Sequence, residues 1–208
     1  MSEPFFTSDS HFGHANIMKY SGRPFDDVKK MDEKLIENWN KTVGKDDTVY
    51  FLGDFTFRGK SEVEAIVKRL NGHIHWIYGN HDKTKGGQAA IRADGFAWKG
   101  SYKEIKIQGQ NIMLFHYGCL VWNKSHHGSW SLVGHSHGAL RFVLPDNVEL
   151  AKLGLPVLQL DVGVDVAYSH LGEYRPFSFE EVKKIMEYKK SKAEEEGANA
   201  HGIPKRNV

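Results

Sequence analysis

Apolar runs that lead into polar loops recur along the chain. The stretches "FFTSDSH", "TVYFLGD" and "HIHWIYGNHD" each begin with β-branched or aromatic residues and end in polar residues. Such a run is typical of a strand that stops at a loop. Between these runs, apolar residues at helical spacing from Met31 to Val43 predict one helix, and a capping-box pattern at Ser61 and Glu64 predicts the start of another. The alternation of strands and helices predicts an α/β fold.

The second half of the chain has a more antiparallel pattern. The stretch "SYKEIKIQGQNIMLFHYG" predicts a hairpin that turns around Gly109-Gln110, and "WSLVGHSHG" and "LPVLQLDVGVDV" each predict a further strand. Ser178 and Glu181 form a second capping-box pattern, which predicts the start of a C-terminal helix.

Length and composition fit a single globular domain. The chain has 208 residues, of which 40% are hydrophobic and 26% are charged. Because the apolar periodicity is lost near the C-terminus, we expect one domain over residues 1–190 and a solvated tail over residues 191–208. No apolar run approaches the roughly 18 residues of a membrane span, and the N-terminus lacks the pattern of a signal peptide. We therefore expect a cytoplasmic protein with no membrane segment.

The net charge and the numbers of cysteine and histidine residues restrict the possible binding partners and metal ligands. The net charge is +2 with histidine neutral, which argues against an extended nucleic-acid surface. Cys119 is the single cysteine, so the chain forms no internal disulfide and no Cys-rich zinc module. Histidine is abundant, with 12 residues, so any metal ligands are expected among His, Asp and Asn.

Residues of the types that bind metals follow the predicted strands. In layered α/β sheets, sites form in the loops beyond the carboxyl ends of the strands, so these side chains are expected to lie together. Taken singly, each has a plain alternative: Asp9 and Asp54 suit turns, Asn80 suits a turn after glycine, and His116 suits a core position. The set is Asp9, His11, Asp54, Asn80, His81, His116, His135 and His137.

The order and spacing of these residues carry a resemblance. The series D-x-H, G-D, G-N-H-D, H and G-H-x-H between Phe5 and His137 resembles the calcineurin-like metallophosphoesterase superfamily. The framing "DSHFGHANI", followed by "RPF", resembles its small bacterial and phage branch. The resemblance implies a four-layer α/β/β/α sandwich with mixed sheets and a dinuclear metal centre.

The resemblance also implies a role for each residue of the series. It makes Asp54 the ligand that bridges two metals and places His81, which is not a ligand, over the leaving group. Asp82 is expected to orient the ring of His81 or of a ligand histidine. The implied ligands of the first metal are Asp9, His11 and His137, and those of the second are Asn80, His116 and His135.

This donor set has a clear chemical meaning. Imidazole, carboxylate and amide ligands are compatible with Mn, Fe, Co, Ni or Zn, and Mg²⁺ alone is disfavoured because it prefers oxygen. The resemblance implies Mn, Fe or Zn. A metal pair activates a bridging hydroxide and clamps a phosphoryl group for in-line attack. We therefore expect a metal-dependent phosphoesterase acting on a small phosphoester, with a nucleotide-like phosphodiester favoured over a monoester. A catalytically silent binding scaffold and a nuclease acting on strand ends are the alternatives, and the sequence predicts no oligomeric state.

Three further residues are candidates for substrate contacts. Arg23 in "GRPF" and Arg58 in "GDFTFRG" suit either phosphate or a surface salt bridge. The second motif resembles the G-D-x-x-D-R-G of protein phosphatases, except that Phe57 replaces the acidic residue. Trp122 and Trp130 suit either the core or a pocket wall, and we expect residues 117–131 to form that wall, with Trp122 stacking on a base.

Overall fold

The computed structural model describes residues 2–83, 91–139 and 157–195, in which two mixed sheets are flanked by helices. The first sheet contains β1 (Pro4–Thr7), β2 (Thr48–Phe51), β3 (His73–Ile77), β4 (Trp98–Gly100) and β9 (Phe177–Ser178). The second contains β5 (Lys103–Ile107), β6 (Gln110–Leu114), β7 (Trp130–Val133) and β8 (Gln159–Asp161). The helices are α1 (Ile17–Tyr20), α2 (Val28–Thr42), α3 (Lys60–Val67), α4 (Val164–Leu171) and α5 (Phe179–Glu195), with 3₁₀ turns at His81–Lys83 and Ser125–His127. This architecture confirms the predicted α/β metallophosphoesterase fold.

The strand directions bring the polar loops of both sheets together. The first sheet has the order β4-β3-β2-β1-β9, in which β1 to β4 run parallel and β9 runs antiparallel to β1. In the second sheet, with the order β5-β6-β7-β8, strands β6, β7 and β8 run parallel. A backbone bridge between Ser8, after β1, and Gly163, after β8, joins the carboxyl ends of the two sheets. The residues that follow β1, β2, β3, β6 and β7 therefore surround one place.

Alternating side chains of the first sheet serve two hydrophobic cores. Phe5 packs in the core that contains α2 and α3, whereas Phe6 packs in the core that contains the second sheet and α5. Successive side chains of a strand point to opposite faces, so one strand stabilises both cores. Full burial of a side chain such as Phe6, which is 0% exposed, contributes about 1.5–3 kcal/mol. Hydrophobic packing therefore stabilises both faces of the sheet that carries the site.

The first predicted helix forms close to the expected bounds. Helix α2 begins three residues before Met31, because the side chain of Asp27 accepts hydrogen bonds from the amides of Lys29 and Lys30. This cap satisfies amides that have no partner within the helix.

Helix α3 begins near Ser61, as predicted, but its cap lies two residues before the predicted one. The carboxylate of Glu62 accepts a 2.9 Å hydrogen bond from the amide of Gly59, so Gly59 and not Ser61 caps the helix, which begins at Lys60. Glu64 instead accepts a hydrogen bond from the amide of Asp94. Both sets of residues have the capping-box spacing, and tertiary contacts decide between them.

The hairpin is confirmed, with its turn one residue earlier than predicted. Gln108 and Gly109 form the turn between β5 and β6, and their φ angles are +48° and +87°. Two positive φ angles are the mark of a two-residue type I′ turn, whose twist matches that of the strands.

The C-terminal helix confirms one prediction and corrects another. The amide of Ser178 donates to Glu181, and the amide of Glu181 donates to the Ser178 hydroxyl, as the capping box predicts. However, α5 continues to Glu195 and buries Ala193, so residues 191–195 are helical and the tail cannot begin at residue 191. Residues 196–208 lie outside the described part of the chain.

Helices α1 and α4 were not predicted from the sequence. Helix α1 has only four residues, and α4 begins directly after Gly163 within a run that the sequence assigned to a strand. Within the described ranges, every helix is too short or too polar to span a bilayer.

Candidate metal centre

The predicted ligands follow the strands in an unusual backbone conformation. Seven non-glycine residues in the described part of the chain have a positive φ, and five of them are predicted ligands. A left-handed conformation costs a non-glycine residue about 1–3 kcal/mol and persists where its surroundings enforce it, typically at functional sites. The five are Asp9 (57°), His11 (51°), Asp54 (57°), His135 (72°) and His137 (48°).

Three of these residues form a first donor cluster. The Nε2 atoms of His11 and His137 lie 3.2 Å apart, and each lies 3.8 Å from Oδ1 of Asp9. Ligand atoms at about 2.0–2.2 Å from one cation lie roughly 3–4 Å from each other. Oδ2 of Asp9 accepts hydrogen bonds from the Ser8 hydroxyl and the His135 amide, whereas the buried Oδ1 has no hydrogen-bond partner among the described residues. This orphaned oxygen, with two imidazole nitrogens facing it, fits a cation.

A second donor cluster lies beside the first. Oδ2 of Asp54 lies 3.5 Å from Nε2 of His116, which in turn lies 2.9 Å from Oδ1 of Asn80. Nδ1 of His116 donates a 2.7 Å hydrogen bond to the carbonyl of Leu52, which directs the Nε2 lone pair of the neutral ring into the cluster. His135 completes the group, and the ligand atoms of Asp54, His116 and His135 lie within 4.8 Å of one another.

Asp54 connects the two clusters. Its Oδ2 atom lies 3.7 Å from Nε2 of His11 in the first cluster and 3.5 Å from Nε2 of His116 in the second. Its Oδ1 atom accepts a 2.9 Å hydrogen bond from the amide of His81, which fixes the carboxylate. One oxygen of Asp54 is therefore within reach of both sides, as a bridging ligand requires.

Burial and neighbouring charges shift the pKa values of the clustered groups in opposite directions. Burial raises the pKa of Asp9 to about 7 and lowers the pKa of His11 to about 2. Burial also opposes the charged forms of Asp54 and His116, but their hydrogen bond and mutual charge dominate. They hold the pKa of Asp54 below its usual value and raise the pKa of His116 to about 9. A divalent cation among these groups would keep the carboxylates ionised and the imidazoles neutral.

Glycines let the loops approach each other closely. A Cβ atom on Gly79 would lie 2.2 Å from Oδ1 of Asp54, and one on Gly134 would lie 2.6 Å from Oδ2 of Asp9. Neither distance is compatible with a side chain, so the glycine before Asn80 and the glycine before His135 are steric requirements of the site.

Asp82 supports the backbone of the site. Its carboxylate is fully buried and accepts hydrogen bonds from the amides of Asp54 (2.8 Å), Phe55 (3.0 Å) and Gly79 (2.7 Å). Burial raises its pKa to about 6. Its hydrogen bonds to three backbone amides differ from the predicted contact with a histidine ring, because the loops after β2 and β3 meet around this side chain.

Arg23 also has a different role from the predicted phosphate contact. Its side chain is 0% exposed, and its guanidinium donates to both carboxylate oxygens of Asp165 at 2.8 and 2.9 Å and to the carbonyls of Asp9 and Ser10. Of the two roles that the sequence left open for Arg23, the structure shows a salt bridge, which is buried beneath the site and occupies the donors of the guanidinium.

Two acidic residues of the site were not found from the sequence. Asp165, in the first turn of α4, accepts a 2.6 Å hydrogen bond from Nδ1 of His137. Burial lowers the pKa of His137, but its hydrogen bond to Asp165 and the charge of Asp9 outweigh that effect and raise it. Asp161, at the end of β8, accepts hydrogen bonds from the Ser136 hydroxyl and the Gly138 amide. The signal for both was present in "LDVGVD", a further strand that ends in acidic residues.

The remaining predicted substrate contacts are not among the residues that line the cavity at the clusters. Arg58 forms a 2.8 Å salt bridge with Asp32. Nε1 of Trp122 donates to the carbonyl of Ser129, and its ring packs against the second core, which also buries Trp130. Of the two positions that the sequence left open for the tryptophans, Trp130 is buried in the core, Trp122 packs partly buried against it, and neither lines the cavity.

Other side chains border the site instead. The ring of Tyr117, in the segment expected to form the wall, lies 5.0 Å from the ring of His116 and 4.9 Å from that of His135. A cavity of about 520 Å³ opens above the clusters, which is a normal size for a small-molecule site. Its lining includes His11, His14, Tyr20, Ser21, Asp54, His81, His135 and His137.

Comparisons with known proteins identify a family for this chain. The family model described as calcineurin-like phosphoesterase matches residues 5–193. An uncharacterized protein of Methanocaldococcus jannaschii is 32% identical over 193 residues, which cover 90% of this chain and 93% of that protein. The gene 66 protein of Mycobacterium phage L5 is 40% identical over 85 residues, which cover 39% of this chain and 41% of the phage protein.

A solved structure supports the fold. The crystal structure of a protein of unknown function from Aquifex aeolicus superimposes with a TM-score of 0.63 at 23% sequence identity. The superposition covers 89% of this chain and all of the Aquifex chain.

Proposed function

Since this chain belongs to the calcineurin-like phosphoesterase family, we propose that it is a dinuclear metal-dependent phosphodiesterase acting on a small nucleotide-like phosphoester. The position of Asp54 carries this proposal. A single carboxylate oxygen within 4 Å of imidazole nitrogens from two separate donor clusters is what a metal pair needs, because a shared anion offsets the repulsion between two cations.

The proposed ligands follow from the donor atoms that converge. Asp9, His11 and His137 would hold one cation, and Asp54 would be shared between the two sites. Asn80, His116 and His135 would hold the other. Mixed nitrogen and oxygen donors suit Mn, Fe or Zn. When bound, such cations supply Lewis-acid stabilisation of the phosphoryl oxygens and lower the pKa of water.

His81 is the proposed proton donor. Its Nε2 atom lies 3.9 Å from Oδ2 of Asp54, and its side chain is 37% exposed at the cavity. It belongs to neither donor cluster, and its ring lines the cavity beside both. A proton placed on the leaving oxygen helps most when that oxygen leaves as a poor alkoxide, which favours a diester. A phosphomonoesterase with the same residues is the alternative.

The surrounding residues keep the site rigid. The carboxylate of Asp165 accepts a hydrogen bond from Nδ1 of His137. The guanidinium of Arg23 donates to that carboxylate and to the backbone carbonyl of Asp9. Preorganised donors of this kind cost no reorganisation during the reaction.

A substrate panel tests the proposal. Protein loaded with Mn²⁺ is assayed with bis-p-nitrophenyl phosphate, p-nitrophenyl phosphate, cyclic nucleotides and short oligonucleotides. We expect the highest kcat/KM on a small diester and loss of activity in chelator. Preference for the monoester would contradict the diesterase assignment, and inactivity on every substrate with full metal loading would favour a binding scaffold.

A further inference from the structure

A series of rings extends from the metal centre to the mouth of the cavity. The ring centroids of His81 and Phe57 lie 4.7 Å apart, and those of Phe57 and His14 lie 4.1 Å apart in a stacked arrangement. The ring of Tyr20 follows at 6.2 Å from that of His14. We call Phe57, His14 and Tyr20 the aromatic shelf. The shelf begins beside the proposed proton donor and leads outward along the cavity that His14 and Tyr20 line.

The shelf presents aromatic surface on a fixed backbone. Tyr20 is 75% exposed and Phe57 is 38% exposed. Helix α1 carries Tyr20, and its neighbour Ile17 is buried in the first core, which anchors the helix. Single exposed aromatic residues are common on proteins. The distinctive feature here is that the exposed rings are continuous with the metal centre. A surface that is already ordered binds a flat ligand without a further loss of chain entropy.

The chemistry of the shelf indicates what it binds. Phe57 offers an uncharged, 38% exposed ring beside His81. Tyr20 adds a hydroxyl group to the cavity lining, and the Ser21 hydroxyl lies 3.3 Å from Nδ1 of His137. An aromatic face with nearby hydroxyls suits a planar heterocycle, which stacks and also forms hydrogen bonds at its edges.

We propose that the aromatic shelf binds the nucleobase of a phosphodiester whose phosphate lies at the two donor clusters. The position of the phosphate rests on the proposed function. A base is separated from its phosphate by a sugar, so it reaches past Phe57 to His14 and Tyr20. A phosphotyrosyl ring is joined directly to its phosphate and would reach only Phe57, and a phosphoseryl peptide has no planar group next to its phosphate.

Two ligands that differ only in the base test this inference. The dissociation constants of AMP and ribose 5-phosphate are measured by calorimetry on the Mn²⁺-loaded protein, and a phosphate assay confirms that both ligands stay intact. Because base stacking on a ring strengthens binding roughly 5- to 150-fold, we expect AMP to bind at least about 5-fold more tightly. The difference should fall toward none in Tyr20→Leu and in Phe57→Leu, and it should persist in Tyr20→Phe.

Tyr188→Leu is the matched control, since Tyr188 is a 62% exposed tyrosine on α5. It should keep the full preference for AMP. Equal binding of AMP and ribose 5-phosphate by the wild type would overturn the inference, as would an unchanged preference in folded Tyr20→Leu and Phe57→Leu. Tighter binding of phosphotyrosine than of AMP would overturn it in favour of a peptide. Hydrolysis of bis-p-nitrophenyl phosphate without a base preference refutes only the shelf, whereas a base preference without hydrolysis of any ester refutes only the proposed function.

Discussion

The Nδ1 atom of His137 lies 2.6 Å from Oδ2 of Asp165, so a helix of the second half of the chain fixes a proposed ligand of the first metal. Arg23 holds the same carboxylate from the other side. The carboxylate can only accept, so the hydrogen lies on Nδ1 and Nε2 is left to face His11 and Asp9. The ring of His137 is thereby oriented before any ligand arrives.

The first prediction concerns this orientation. Asp165→Asn should weaken binding of the first metal about 10- to 100-fold, the usual effect of removing the partner of a ligand histidine. Activity measured against Mn²⁺ concentration should shift to higher metal and recover near saturation. Asp26→Asn, at an exposed salt bridge, is the control and should shift nothing. A lower melting temperature with unchanged metal affinity would show that Asp165 only stabilises the fold.

The second prediction concerns His81. His81→Asn should retain the metals and lower kcat/KM by about 10²–10⁴ on diesters with an alkoxide leaving group, because a general acid contributes that much. The loss should be much smaller on bis-p-nitrophenyl phosphate, whose leaving group needs little protonation. The matched control is His126→Asn, since His126 is exposed outside the cavity lining. Equal losses on both substrates, or loss of metal, would argue that His81 holds the substrate or a metal.

The third prediction concerns the glycine that precedes Asn80. Gly79→Ala should displace the Asp54 carboxylate and abolish tight metal binding, because the new Cβ would lie 2.2 Å from Oδ1. Gly172→Ala is the control for a loss of stability without a clash at the site. Gly172 has a φ of +76° but open space around it, so its substitution should cost about 1–2 kcal/mol of stability and leave metal content unchanged. Normal metal content in Gly79→Ala would show that the loops can separate without harm to the site.

Local patterns predicted the α/β fold because they reflect local physics. Strand periodicity, the α5 capping box and the β5-β6 hairpin all depend on residues that are close in the sequence. The errors have the opposite origin. The α3 cap depends on contacts with Asp94 from another loop, and the end of α5 depends on burial of Ala193, which its small side chain does not announce.

The candidate site shows the same difference between features set by nearby residues and features set by tertiary contacts. The residues that converge could be predicted because each follows a strand whose carboxyl end lies at the same edge. The residues that hold them could not, because Asp165 contacts His137 across 28 positions and Arg23 contacts Asp165 across 142. Arg23, Arg58 and Trp122 have side chains suited to nucleotides, yet burial and salt bridges occupy all three. Whether a polar or aromatic side chain faces solvent or core is a tertiary property, and composition does not reveal it.

The most direct test of the account is the metal content of wild-type protein and of Asp54→Asn after loading with Mn²⁺, measured by elemental analysis together with electron paramagnetic resonance. The account predicts close to two Mn²⁺ per chain in the wild type, with the spectrum of a magnetically coupled pair. It predicts loss of the coupling, of metal and of activity together in Asp54→Asn, while Asp26→Asn resembles the wild type. Full activity in strong chelator without metal, or two uncoupled ions that persist in Asp54→Asn, would contradict it.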